Sequence, residues 1–432
     1  MASAEILPKA CHPGNKFKSC LNGVSDDSST STLASEMPNE LIDLVVDNLV
    51  NDDGHLSCPL AGHLGPIDRC PEDYNTPTTR LRNLSLVSPT WRKKMVPFIY
   101  SCVVFKFNPL DEAGCAQQLD IVAHNHGYKK FVKTVIFHDF GHHNLSDKLA
   151  YLFDTIVVQA PSTLSSLVFI DCAITISTTR HFEDISQVRK VALINCAITT
   201  EGLRRLSGRL QAGGELVLDD IFILPAQYVG PMLAGSMLQP VTLVMRNLSA
   251  IVTRANSFES FLGSWRVDSL KVQLCQPDCL ASEVAGAMAS TIRSFTYECH
   301  DSFTPPFCLD DLTQVRELCL ALPSSALGGL FDWILSVENS CVADITINFA
   351  SFEGTHETDF AVWTGIVRAL QPACFPKLTS VRLRWCVDPT IEAWAKSRIP
   401  ALSTSLERDV ADCVVDVFTD NSRSFCPRRW LY

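Results

Sequence analysis

The sequence has few charged residues and no excess of basic ones. Charged residues make up 19% of the 432 positions, and 36 basic residues face 47 acidic ones, so the formal net charge is −11. No basic run is long enough to follow a phosphate backbone, which argues against nucleic acid as the main partner. Glycine and proline are also modest, with 20 and 23 residues, while 47% of residues are hydrophobic. This composition is typical of a folded chain, neither collagen-like nor wholly disordered.

A hydrophobic run of membrane-spanning length is also missing. Residues 221–245 carry no formal charge, but Pro225, Pro231 and Pro240 would break a spanning helix. The first nine residues lack the apolar core of a signal peptide. We therefore expect no membrane partner and a cytoplasmic or nuclear location, or both, with the 18 cysteines as reduced thiols.

Motifs for catalysis and metal binding are absent as well. The sequence has no G-x-S-x-G, H-E-x-x-H, P-loop or G-x-G-x-x-G pattern. Cys58, His63 and Cys70 are close together, but their spacing lacks the paired short intervals of zinc sites, and His142-His143 lies in an expected loop. We therefore predict no catalytic residue, no metal ligand and no cofactor. An enzyme is the least favoured of three functional classes.

The amino-terminal quarter contains a helical pattern interrupted by a loop. Residues 1–34 lack periodicity, which predicts a disordered tail. Pro38 begins a run with helical spacing to about residue 50, and several Gly and Pro dipeptides at about 54–79 predict a loop insertion. Leu84 and Val87 lead into Ser88-Pro89, where one helix should end and another, carrying Trp91, should begin.

After residue 100 the sequence repeats. The template L-x-x-L-x-L-x-x-C-x-L fits the segments that begin at Leu164 and Val188, which are 24 residues apart. Its central apolar pair recurs at intervals of 23 to 27 residues and once of 36. The first pair is Leu167/Phe169. The pairs that follow it are Val191/Leu193, Leu216/Leu218, Leu243/Met245, Leu270/Val272, Phe295/Tyr297, Leu318/Leu320, Ile345/Ile347 and Val381/Leu383. Val103/Phe105 and Val135/Phe137 are candidate irregular units at the start.

Such a period predicts stacked units of one strand and one helix, because a single unit cannot bury its apolar side alone. In each unit the apolar pair should face the shared core. The template cysteines, Cys172, Cys196, Cys275 and Cys386, should pack at the turn that leaves the strand. We therefore predict an α/β solenoid at 106–403, with a cap or tail at 404–432.

Two family resemblances follow from these motifs. The repeat resembles cysteine-containing leucine-rich repeats over about residues 130–390. Met37-Pro38-Asn39-Glu40-Leu41-Ile42, with Leu84-Ser85-Leu86-Val87-Ser88-Pro89-Thr90-Trp91, resembles an F-box of the type found in fungal F-box proteins. The resemblance implies a small all-α bundle at 35–105, followed by a leucine-rich-repeat solenoid with a parallel sheet on its concave face and helices on its convex face.

The F-box resemblance also implies a partner, the Skp adaptor of a cullin-RING ubiquitin ligase. The residues that would form or support the adaptor-binding face are Pro38, Leu41, Ile42, Val45, Leu49, Leu84, Val87 and Trp91. The chain would then be the substrate-recognition subunit of a Skp-cullin-F-box ligase. The alternative is an interaction scaffold that does not engage a ligase, because the family has no insertion of this length between its first helices.

The residues between each apolar pair should face the other side of the sheet, since side chains alternate along a strand. In the early units they are apolar: Val168, Ile170, Ala192, Ile194, Val217 and Val244. This stretch is expected to be covered by another segment or to be a docking patch. The later units offer polar candidates for binding an unknown target protein: Lys271, Gln273, Thr296, Glu298, Thr346, Asn348, Arg382 and Arg384. The alternative, that β-branched residues here reflect strand propensity alone, stays open.

Overall fold

A computed structural model gives the structure of part of this chain. It describes residues 38, 41–42, 83–106, 113, 130–139, 163–174, 188–224, 242–246, 266–273, 288–299, 312–337, 340–351, 356–370, 374–406 and 412–419. The predicted tail at 1–34, the predicted insertion at 54–79 and the residues Val45, Leu49 and Cys275 lie outside this part. The described residues form two compact units, divided between Ile99 and Tyr100.

The first unit is helical in its described residues. Leu41 and Ile42 are helical, a short helical segment covers 83–85, and helix α1 spans Pro89–Ile99. Pro89 begins α1 because its missing N–H and fixed φ suit the first helical turn, and the Trp91 N–H donates to Ser88 Oγ at 3.3 Å. The predicted break between two helices at this proline is confirmed.

The second unit contains fifteen strands among its described residues. In chain order they are β1 (Cys102–Lys106), β2 (Thr134–His138), β3 (Ser166–Ile170), β4 (Ala173–Ile174), β5 (Val188–Ile194), β6 (Ala197–Thr199), β7 (Leu210–Asp219), β8 (Phe222–Leu224), β9 (Thr242–Arg246), β10 (Ser269–Gln273), β11 (Ser294–Glu298), β12 (Glu317–Pro323), β13 (Asp344–Ser351), β14 (Ser380–Val387) and β15 (Asp412–Thr419). Twelve of them form one sheet, and β4, β6 and β8 form a second, small sheet.

The large sheet is parallel and follows chain order. Its strand order is β1-β2-β3-β5-β7-β9-β10-β11-β12-β13-β14-β15, and every pairing in it is parallel. Each strand therefore lies beside the one before it, as a stack of repeated units requires. The predicted α/β architecture with a long parallel sheet is confirmed, and the structure is compatible with a solenoid.

The register of the sheet places the predicted apolar pairs in two continuous rows. Leu167 pairs with Val191, Val191 with Leu216, and the first members continue in this way to Val381. The early pairs Val103/Phe105 and Val135/Phe137 belong to the same rows. The first-row residues from Val135 to Val381 are between 0% and 3% exposed. The 23-to-27-residue period is thus the interval at which the chain returns to one register.

Aromatic stacks strengthen both ends of this core. In the second row the rings of Phe105 and Phe137 have centroids 5.8 Å apart, and those of Phe137 and Phe169 are 5.2 Å apart. Near the other end, Phe349 stacks on Trp385 at 5.4 Å. Stacked rings in register add to the free energy gained from burying their area.

Helices lie between several strands, as the period requires. They are α2 (Thr200–Ser207), α3 (Leu327–Leu335), α4 (His356–Ala369) and α5 (Glu392–Leu406). The first begins at the N-cap Thr199, whose Oγ1 accepts from the Gly202 N–H at 3.1 Å. Among the described helices none is long and apolar enough to cross a membrane.

One residue in the left-handed backbone conformation follows each of four successive strands of the large sheet, and we call these four residues the left-handed ladder. Asp139, Asp171, Asn195 and Asp220 have φ angles of 60°, 54°, 49° and 51°. The Asp139 and Asp171 N–H groups donate to the carbonyls of Ile170 and Ile194, both at 3.0 Å. Asp and Asn tolerate this conformation better than other residues with a Cβ. The ladder therefore continues the hydrogen bonding beyond the strand ends.

Two template cysteines pack at these turns, as predicted. The Cys172 thiol donates to the carbonyls of Ile170 at 3.1 Å and Phe137 at 3.5 Å. Cys196 makes the equivalent bonds, to Ile194 at 3.2 Å and Phe169 at 3.4 Å. Both are buried, at 2% and 1% exposure. A thiol suits this position because it is small and its weak S–H donor satisfies carbonyls in the turn.

Two features differ from the predictions. Cys386 is not at a turn, because β14 continues past it to Val387. The sheet also continues beyond residue 403 with β15, in the segment expected to be a cap or tail. In β15, Cys413 and Val415 continue the two core rows beside Val381 and Leu383, and no cysteine follows at the template position.

The left-handed ladder generates a stability prediction at Asp220, an exposed residue. We expect Asp220→Val to lower the free energy of unfolding by about 1–2 kcal/mol, because a β-branched residue is strained at positive φ. Asp220→Gly should stay within about 0.5 kcal/mol of the wild type. Urea denaturation followed by circular dichroism measures both values. The matched control is Asp344→Val in β13, where a β-branched residue suits the strand, and an equal loss there would contradict the explanation.

Candidate protein-interaction surfaces

The helical unit separates buried from exposed apolar side chains. Ile42, Trp91, Met95 and Ile99 are between 0% and 8% exposed. Positions 91, 95 and 99 of α1 lie four residues apart, so their side chains share one face, which is the buried face. These residues form the internal core of the unit.

A second set of apolar residues in the same unit is exposed. Leu41 is 49% exposed, Leu86 is 64% exposed and Val87 is 45% exposed. We call these three residues the apolar patch. Of the residues predicted to bind an adaptor, Pro38, Leu41 and Val87 are exposed, Leu84 is half-buried, and Ile42 and Trp91 are internal. The predicted set therefore divides into supporting residues and residues that a partner could contact.

Leu86 is an exposed residue that the sequence interpretation did not select. It lies in the turn between the helical segment at 83–85 and Pro89, and the Leu86 N–H donates to the Asn83 carbonyl at 3.1 Å. Leu86 falls outside the three-residue spacing that was used to choose Leu84 and Val87, although the structure places Leu86 and Val87 in the same turn. In the sequence, Pro89 three residues later marks a helix boundary, and this boundary could have indicated that Leu86 lies in a turn.

The large sheet has a second face, opposite the core. In its amino-terminal part this face includes the buried Asp219 and the exposed edge residue Val104. We call seven apolar side chains of this part the apolar half: Ile136, Val168, Ile170, Ala192, Ile194, Val217 and Val244. These side chains are between 0% and 4% exposed. A solvated sheet face would leave them accessible, so the chain itself covers this half. Of the two expectations for this stretch, coverage by another segment is the one that agrees with the structure.

The carboxyl-terminal part of this face, which we call the polar half, contains the predicted target-binding residues. In register they belong to adjacent strands: Lys271 in β10, Thr296 and Glu298 in β11, Cys319 in β12, Thr346 and Asn348 in β13, and Arg382 and Arg384 in β14. The structure therefore brings these residues together on one continuous surface. Gln273 belongs to the same row as Glu298.

The members of the polar half differ in accessibility. Arg382 is exposed, and Lys271, Thr346 and Arg384 are half-buried. Thr296, Glu298 and Asn348 are 7%, 1% and 1% exposed. The direct target contact expected of these three residues would require the chain that covers them to move. Sheet alternation predicted the face correctly, but it cannot predict what lies over that face.

Cys319 lies at the centre of a charged cluster on the polar half. Asn348 Nδ2 donates to Cys319 Sγ at 3.8 Å. Burial raises the pKa of the Cys319 thiol to about 11, against opposing effects of the Lys271 and Arg384 charges, and the Glu298 carboxylate adds to the rise. The thiol is thus protonated at neutral pH. Because side chains alternate along a strand and the repeat sets the register, the sequence was sufficient to place Cys319 on this face beside Thr296.

A third group of polar residues lies at the left-handed ladder. His138 Nδ1 is 2.8 Å from Asp139 Oδ2, and His138 Nε2 is 3.3 Å from Asp171 Oδ2. Asn195 Nδ2 donates to Asp171 Oδ1 at 2.5 Å. His138, Asp139 and Asp171 are close enough together to hold a divalent cation, with ligand atoms within 4.8 Å of one another. Since both imidazole nitrogens already face carboxylates, polar contacts between neighbouring turns account for the arrangement. The sequence interpretation did not select it.

Comparison with known proteins adds no assignment. No protein-family model matches the sequence, and no curated protein is significantly similar to it. The functional interpretation therefore depends on the surfaces described above. The candidate zinc residues Cys58, His63 and Cys70, together with His142-His143, lie outside the described part of the chain.

The covered apolar half generates a stability prediction. Ile194→Ala should lower the free energy of unfolding by about 2–4 kcal/mol, because it leaves a cavity in a buried site. Leu193→Ala, on the core face, should cost a similar amount. Leu335→Ala, at a position 56% exposed, should cost less than about 0.5 kcal/mol. Urea denaturation measures all three, and a value for Ile194 close to that of Leu335 would show that the half is open to solvent.

The raised pKa of Cys319 generates a second prediction. At pH 8 its thiolate fraction should be about 100-fold smaller than that of a thiol with the ordinary pKa near 9, so iodoacetamide should modify it slowly. Cys341 is the comparison thiol: it is also partly buried, but Lys377 Nζ lies 3.3 Å from its Sγ. Mass spectrometry of modification against time should show Cys341 reacting first.

The same pKa shift fixes the sign of a pH effect on stability. The folded chain keeps the Cys319 proton between pH 9 and about 11, where the unfolded chain releases it. This thiol therefore lowers stability as pH rises through that range. Cys319→Ala should reduce the loss of stability between pH 9 and 11. Equal modification rates for Cys319 and Cys341, with no effect of Cys319→Ala, would contradict the shift.

Proposed function

We propose that this protein is the substrate-recognition subunit of a Skp-cullin-F-box type ubiquitin ligase. The apolar patch would dock the Skp adaptor, and the polar half of the sheet would capture a target protein. On this proposal the helical unit is an F-box bundle and the sheet unit is a leucine-rich-repeat solenoid. The adaptor would connect the chain to the cullin and its RING partner.

The observation that carries the proposal is the division of apolar residues in the helical unit. A small unit that needed every large apolar side chain for its core would bury them all. Instead Leu41, Leu86 and Val87 are between 45% and 64% exposed beside a buried set. Large apolar side chains that stay exposed are candidates for a protein-binding surface, and Leu41 and Val87 belong to the residues that carry the F-box resemblance.

The arrangement of the second unit agrees with a receptor. Twelve parallel strands in one register create a long face on which side chains from distant parts of the sequence become neighbours. Such a face can contact a protein over several strands at once, as repeat proteins do. The receptor would contribute proximity, raising the concentration of target lysines near the conjugating enzyme, so it needs no catalytic residue of its own.

The alternative function is a scaffold with the same two units that does not engage a ligase. It remains the second candidate because the predicted insertion at 54–79 follows the first predicted helix. The two functions differ in one measurable property, which is binding of the Skp adaptor.

Adaptor binding is tested with purified full-length protein and purified adaptor. We expect the wild type to bind, and Leu41→Asp or Val87→Asp to weaken binding by at least about 30-fold, or about 2 kcal/mol, because a charge replaces buried apolar contact. Leu335→Asp, in α3, is the matched control: its leucine is similarly exposed, so its substitution should leave the affinity unchanged. Surface plasmon resonance measures the affinities.

The outcomes separate the two candidates. Failure of the folded wild-type protein to bind the adaptor would exclude the ligase function and favour the scaffold. Binding that is lost equally in the Leu335→Asp variant would show that the apolar patch is not the docking surface. Circular dichroism of each variant checks that the chain is folded.

A further inference from the structure

The second sheet face is open at its carboxyl-terminal strands and, at the other edge, at Val104 in β1, which is 44% exposed. The apolar half is closed, with exposures of 0% to 4%, and in β11 both Thr296 and Glu298 are also buried. By contrast Glu317, Asp344, Arg382, Asp412 and Asp416 are exposed. A partner of this face can therefore reach the rows of Ser380 and Arg382 in β12 to β15, whereas Asn348, beside Arg384, stays covered.

Two cations on β14 have the spacing of an extended peptide. Arg382 and Arg384 are two residues apart on the same strand, so both side chains lie on one face, about 7 Å apart along the strand. Alternate side chains of a bound extended segment have the same spacing. A segment lying along β14 could present one acidic side chain to each arginine.

Of the two cations, Arg382 is the better placed to bind an incoming carboxylate. Its in-register neighbours are Thr346 in β13 and Val414 in β15, and neither carries a charge. Arg384 instead lies beside Asn348 and Asp416, so Asp416 offsets part of its field. An incoming carboxylate at the Arg382 position therefore meets a cation without an acidic residue beside it in that row.

The row before Arg382 has the opposite charge. Ser380, two residues earlier in β14, is in register with Asp344 in β13 and Asp412 in β15. Glu317 in β12 continues this row and, like both aspartates, is exposed. Along β14 the surface therefore changes from negative at Ser380 to positive at Arg382 and Arg384.

We propose that this surface, the carboxyl-terminal patch formed by Glu317, Asp344, Ser380, Arg382, Arg384 and Asp412, binds an extended target segment of matching charge order. For a segment parallel to β14, its sheet-facing side chains are one basic residue followed by two acidic residues at alternate positions, K-x-E-x-E. Charge complementarity selects this pattern because the charge-reversed pattern, E-x-K-x-K, places like charges together at all three rows. The inference rests on the proposed function, since the segment belongs to the ligase target.

The test uses two fluorescein-labelled peptides of equal length, G-S-K-T-E-T-E-S-G and its charge-reversed form G-S-E-T-K-T-K-S-G. Fluorescence anisotropy with the full-length protein in 50 mM salt measures their affinities. The first peptide should bind at least tenfold tighter, although the protein's net charge of −11 favours the second. Raising the salt to 300 mM should weaken binding of the first peptide, since the contacts are exposed ion pairs.

Variants locate the binding surface. Arg382→Glu with Arg384→Glu should abolish the preference for the first peptide and give the charge-reversed peptide the higher affinity. Arg368→Glu, an exposed arginine of α4 outside the patch, is the matched control and should leave both affinities unchanged. Circular dichroism confirms that each variant is folded.

Three results would overturn the inference: no binding of the first peptide at 1 mM, equal affinity for both peptides, or equal loss in the Arg368→Glu variant. Adaptor binding reports on the other unit and separates this failure from failure of the proposed function. A protein that binds the adaptor but neither peptide contradicts the patch alone. One that binds the first peptide but not the adaptor contradicts the ligase assignment alone.

Discussion

Parallel pairing of twelve strands in one register is the constraint on which the rest of the structure depends. Each strand returns to the same position beside its predecessor, so residues at equal places in successive repeats become rows. The apolar pairs form the two core rows, with phenylalanines stacked from Phe105 to Phe169. A shift of one residue in any strand would move its apolar pair to the opposite face, so the core enforces the register.

The opposite face changes character along the sheet because the same rows pass from apolar to charged residues. The rows are closed at Val168 and Ile194 and open at Arg382. The transition leads through a buried charged group around Cys319, where Glu298 and Asn348 are almost inaccessible. A target would therefore be recognised at one end of the sheet, while the other end serves stability. The two proposed partners would also use different physics, because the helical unit offers apolar area and the sheet offers ordered charge.

Much of the fold follows from local sequence pattern. The repeat spacing predicted the strands at Leu167, Val191 and Val381, and Pro89 predicted the start of α1. Hydrogen bonds of Cys172 and Cys196 agree with the role assigned to the template cysteine. The prediction missed β15, which lacks the template, and placed Cys386 at a turn that a longer strand removes. For the candidate surfaces, alternation identified the correct face and grouped its residues, but it gave no information on their accessibility.

The sequence by itself determined the repeated strands other than β15, the face on which the side chains of each apolar pair lie, and where the charges lie along the chain. These properties depend on backbone geometry and on the two-residue and helical periods, both of which act over a few residues. Only the tertiary structure decided that Leu41, Leu86 and Val87 stay exposed, that the apolar half is covered and that Arg382 is open while Asn348 is closed. Burial is a property of what packs above a residue, and that chain comes from distant positions that local patterning does not encode.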